Sequence, residues 1–162
     1  MWERLIGVLA KMLELYQALL VISKQKHDIL VSAKAVELEA ITKQEELLIV
    51  QIGKIETARE NAIQEIIDAN KIVEDHLTVS RLAQLAEEPF GVQLSELLEK
   101  LQQVTAELVR MNQINTKLIE QSLSYINFNL NLLTQNTIGP TYAAKGQQSQ
   151  ASPNRAMLDR KV

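Results

Sequence analysis

Residues 87–111 read EEPFGVQLSELLEKLQQVTAELVRM, and the order of events in this stretch decides the fold. Pro89 and Gly91 fall within three residues of each other, a pairing that breaks a helix arriving from upstream. A seam begins directly after them. Leu94, Leu97, Leu101, Val104, Leu108 and Met111 recur in alternating steps of three and four, the stripe of a helix that packs on other helices as in a coiled coil. Glu96, Glu99, Lys100, Glu107 and Arg110 fill the remaining surface as a solvated face. The seam predicts a helix from Val92 or Gln93 over about 92–136, roughly 60 Å long. Gly139 and Pro140 in NTIGPTY stop it.

A helix of that length needs long helices to pack on, and the upstream sequence supplies them. Residues 2–70 contain no Pro and, after position 7, one Gly (Gly53). Leu5, Leu9, Met12, Leu13, Tyr16, Leu19 and Leu20 recur at helical spacing, and the pattern resumes through Ile41, Leu47, Leu48, Ile52 and Ile55. One straight helix over this stretch would run roughly 100 Å, too long for one domain to cover. A break is therefore expected in LVSAKAVE, with Ser32 capping a second helix and Glu37 and Glu39 suiting its dipole. A bent continuous helix is the alternative. After a polar turn at Glu74, Asp75 and His76, LTVSRLAQLAEE predicts a short helix capped by Thr78 or Ser80. The fold class is all-α: an elongated antiparallel helical bundle or coiled coil of three long helices plus one short helix, in a domain over 1–138.

The tail, 139–162, is rich in Gln, Ser, Gly, Pro and Asn and buries too little to offset its ordering entropy, so disorder is expected. Its last residues, AMLDRKV over 156–162, regain apolar and charged character and suggest a docking peptide. A frayed terminus is the alternative.

Composition excludes several function classes. The net charge of -3 comes without the clustered Lys and Arg of a nucleic-acid footprint, and the absence of cysteine removes thiol chemistry. His27 and His76 are far apart and neither belongs to a Glu-x-x-His pattern, so no metal site is expected. No phosphate-binding glycine loop or nucleophile elbow is present; the chain reads as a non-enzyme with no catalytic residue and no cofactor. In MWERLIGVLAKMLELYQALLVISKQK the apolar runs are interrupted by Lys11 and Glu14 and fall short of the roughly 20 residues of a membrane span. No membrane insertion is expected and the cytoplasm is the expected location. Lys11, Lys24 and Lys26 are too few to hold this helix strongly on a membrane surface.

Beyond Met111 the seam widens. At 100° per residue, Ile114, Leu118, Tyr125 and Leu132 form one group and Ile119, Leu123, Ile126, Leu130 and Leu133 fan out beside it. Phe128 lies on the other flank, giving an apolar arc of about 220° where a surface helix needs little more than 100°. Residues 121–144, QSLSYINFNLNLLTQNTIGPTYAA, contain no Lys, Arg, Asp or Glu, in a chain that is 23% charged. Either this half is wrapped by helices on two sides, or one flank is a partner surface. In the second case Asn112, Asn115, Asn127, Asn129, Asn131 and Asn136 keep the helix soluble, and no ions need desolvating on binding. The candidate partner-binding residues are Leu118, Ile119, Leu123, Tyr125, Ile126, Phe128, Leu130 and Leu133. The partner is either a client helix lying along the arc or a second copy, which would make the protein a homodimer through the last helix and a structural coiled-coil adaptor.

Two stretches resemble the FlgN family of flagellar export chaperones. LEAITKQEELLIVQIGKIETARE is similar to the family signature at Ile41, Thr42, Lys43, Glu45 or Glu46, Leu47, Leu48, Ile55, Glu56 and Arg59. NQINTKLIEQSLSYINFNLNLL resembles the family's last helix, and TYAAKG the Tyr-containing turn after it. The family's inter-helix turn, often Gly-Asp, is Ala33-Lys34 here. The resemblance, over about residues 5–146, implies a cytoplasmic chaperone of type III secretion. It would bind helical terminal segments of the hook-filament junction proteins (flagellar hook-associated proteins), prevent their premature self-association and deliver them to the flagellar export gate. It also implies client binding in the C-terminal part of the chain and Tyr142 as a candidate gate contact, with a helix-end cap as the other role for that residue.

Overall fold

A computed structural model of the chain describes residues 1–72 and 78–136. Within them run four helices: α1 Trp2–Val31, α2 Ala35–Asn70, α3 Val79–Leu85 and α4 Phe90–Asn136. The fold is an all-α helical bundle, as the seam periodicity predicts. The polar turn with His76, the gate candidate Tyr142 and the tail with its 156–162 peptide lie outside the described residues.

The first break falls in LVSAKAVE, but Ser32 plays the opposite part to the one its sequence suggests. It is the C-cap of α1, its N–H donating to Asp28 O. The chain then turns through Ala33 at φ 53°. Ala33 N–H donates to Leu30 O and Lys34 N–H to Ile29 O, both at 3.2 Å, the paired reverse bonds that usually close a helix around a left-handed glycine. Lys34, without a side-chain cap, opens α2.

The two long helices form an antiparallel hairpin. As α1 advances from Arg4 through Tyr16 to Lys26, the side-chain partners on α2 retreat from Glu65 through Glu56 to Glu45. Most of the family-like signature lies on this contact. Ile41 is buried, Glu45 holds Lys26 at 2.6 Å with both side chains largely covered, and Glu56 accepts from Tyr16 and Arg59. Leu47 of the same signature is exposed. The Tyr16 phenol is pushed above its ordinary range, by burial and then by the Glu56 carboxylate beside it.

α3 begins at Thr78, whose hydroxyl oxygen accepts from Arg81 N–H at 3.2 Å, so Thr78 and not Ser80 is the cap. α4 begins at Phe90, earlier than Val92 or Gln93, and Gly91 lies inside its first turn. A Cβ on Gly91 would stand 2.7 Å from Ala83 O and 3.2 Å from Ala86 O. The glycine therefore serves close passage of α4 against the end of α3. Leu94 of α4 joins Leu5, Leu9 and Met12 of α1, Ala62 and Ile66 of α2 and Leu82 and Ala83 of α3 in one core. Further along, Leu108 meets Leu19 and Leu20, so α4 runs in the same direction as α1.

By length and composition α1 is apolar enough to cross a membrane, where the sequence reading, stopped by the charges of Lys11 and Glu14, expects no such segment. In the fold Leu5, Leu9, Met12, Leu15, Leu19 and Leu20 of this helix are buried, so the bundle core uses its apolar seam. The chain divides into two compact units, Met1–Leu123 and Ser124–Val162.

Candidate partner-binding surface

Along α4 the seam changes character. Leu94, Leu101 and Leu108 are buried and Leu97, Val104 and Met111 half-buried. Two turns past Leu108 the buried position is polar: Asn115 is 3% exposed and Ser23, opposite on α1, is fully covered. The Asn115 Nδ2 donates to Ser23 O at 2.9 Å, and Ser23 Oγ donates to Asn112 Oδ1 at 3.0 Å. The sequence places Asn115 on a solvated asparagine face; it belongs instead to the α1–α4 contact, because Ser23 offers its amide a carbonyl. Beside this group Lys24 Nζ pairs with Glu107 at 2.6 Å. The hydrogen bond from Lys24, with its charge, holds the Glu107 carboxyl below the ordinary glutamate range.

Of the candidate partner-binding residues, Leu118 and Ile119 are half-buried in the first unit, and Leu123, its last residue, is exposed. Tyr125, Ile126, Phe128, Leu130 and Leu133 belong to the second unit and are all exposed, Tyr125 to 69% and Phe128 to 60%. Leu132, which the sequence arc includes, is exposed beside them. Among described positions 120–134, Asn129 is the one side chain that is not exposed. α4 runs for 47 residues and α1 for 30, about 70 Å and 45 Å of helix.

Other apolar side chains are exposed too, among them Val21, Leu47, Val50 and Val109. They sit among charged neighbours such as Lys43, paired to Glu39, and scattered apolar exposure of this kind is ordinary. Residues 124–134 differ in having six large apolar side chains and no charge in one short segment.

The described residues thus form a helical bundle whose last helix carries an exposed, uncharged apolar surface. The chain matches the FlgN protein family over residues 1–150, and it belongs to that family, whose members are flagellar export chaperones that bind export substrates. No curated protein and no solved structure matches the chain.

Proposed function

We propose that this protein is a cytoplasmic export chaperone for hook-filament junction proteins, and that residues 124–134 of α4, with Leu123 before them, form the surface on which a client's helical terminal segment docks. The observation that carries this reading is the run of exposed Tyr125, Ile126, Phe128, Leu130, Leu132 and Leu133 without a single charge. Burying what remains exposed of these side chains contributes roughly 25 cal/mol per Å² of apolar area, and no ion has to leave water. By covering the client's helical segment the chaperone keeps it from self-association before delivery to the export gate. Tyr142 is the proposed gate contact, on the family resemblance; Tyr142→Ala should leave the client complex intact and lower secretion, and loss of the complex would exclude that role.

The test is co-elution with light scattering of the full chain and C-terminal helical fragments of hook-filament junction proteins from the same genome, with and without residues 112–162. A defined complex that disappears on truncation supports the reading. No complex, with the full chain running as a tight dimer, overturns it in favour of the self-associating adaptor.

A further inference from the structure

The seam of α4 keeps one heptad phase through both units. Its d positions stay apolar: Leu97, Val104, Met111, Leu118, Tyr125 and Leu132. Its a positions change, from Leu94, Leu101 and Leu108 to Asn115, Ser122 and Asn129. An asparagine at such a position weakens a helix pair but fixes its register and its choice of partner, since an apolar group opposite leaves the amide buried and unpaired. The chain contains its own worked case. Asn115 reaches across to α1 and finds Ser23, a small polar residue that leaves its own backbone carbonyl accessible at 2.9 Å.

Asn129 repeats that position with no hydrogen-bond partner from another helix among the described residues. At 100° per residue Tyr125, Leu132 and Phe128 lie within about 100° on one side of it, and Leu133, Ile126 and Leu130 within about 100° on the other. Its amide is turned inward, Nδ2 donating to Tyr125 O of its own helix at 3.0 Å. That bond satisfies one N–H while the chain is alone and can be exchanged for a bond to an incoming helix. A continuous apolar surface would accept any amphipathic helix; a polar group between two apolar stripes admits those that can answer it.

We propose that Asn129 is the specificity-determining residue of the docking surface, and that the helix seated there presents a small polar residue opposite it, as Ser23 of α1 does opposite Asn115. This rests on the client reading and adds the chemistry of the client's contact position. Continuity of the seam with the α1–α4 interface makes a helix the occupant.

The experiment titrates the hook-filament junction fragment that co-elutes with the full chain into the wild type, Asn129→Leu and Asn131→Leu, the last on the side away from both stripes. Asn129→Leu should weaken binding by roughly tenfold or more, the effect of leaving a buried polar group on the client without its partner, while Asn131→Leu binds as the wild type does. Equal or tighter binding by Asn129→Leu overturns the specificity role and leaves the client reading standing. If no fragment binds the wild type, the client reading fails and the inference falls with it.

Discussion

The two halves of α4 carry the same helical repeat and opposite surfaces. In the first half leucines at the seam are covered by α1, α2 and α3, and charges fill the outside. In the second, over residues 124–134, apolar side chains of comparable size stand in water and no charge is present. Apolar periodicity states that a helix has something to bury; it does not say against what. The first half is answered within the chain. On the proposed reading the charge-free flank of residues 124–134 docks without desolvating an ion, which would be costly.

Removing one leucine from each half separates the two with the largest effect. Leu94→Ala, at a fully buried position, should destabilise the protein by about 2–5 kcal/mol. Leu132→Ala, at an exposed one, should stay within about 0.5 kcal/mol. Urea unfolding of both variants decides it, and similar losses would mean that the distal leucines are core. A second contrast uses glycine. Gly91→Ala forces a methyl into the Ala83 carbonyl and should cost about 1–3 kcal/mol as overpacking does. Gly53→Ala meets nothing within 4 Å in mid-helix and should stabilise by about 1 kcal/mol, so the two should move the melting temperature in opposite directions. The smallest effect concerns Glu107. Its carboxyl is held below the ordinary range, first by the hydrogen bond from Lys24. Its contribution is therefore present above the unfolded-state value and lost as pH falls through the lower folded one. Melting temperatures of the wild type and Glu107→Gln should converge as the pH falls through the depressed folded-state value; a gap that persists into strong acid would exclude the pairing as its cause.

Much of this fold is legible in the sequence because its physics is local. Pro89 and Gly91 mark the passage into α4, and leucines in steps of three and four mark the seam. The misreadings are places where backbone conformation or a tertiary contact decides. Ser32 has the chemistry of an N-cap, yet it ends α1 because Ala33 takes the left-handed conformation normally left to glycine. Gly91 reads as a helix breaker but lies inside α4, where the Ala83 carbonyl leaves no room for a side chain. Asn115 reads as solvated because nothing near it in sequence reveals Ser23. The candidate surface is legible from its missing charges, and Leu132 belongs with it. The difference between Leu118, half-buried, and Phe128, exposed, is not legible, since both are large apolar side chains on the same arc.

Whether the distal half of α4 is a docking surface or core is decided by a paired measurement on the full chain carrying Ile126→Asp and Leu130→Asp together. Melting temperature and co-elution with the hook-filament junction fragment are read on the same preparation. A docking surface predicts an unchanged melting temperature and a lost complex. Loss of the fold along with the complex would contradict it, because these side chains would then be part of the core.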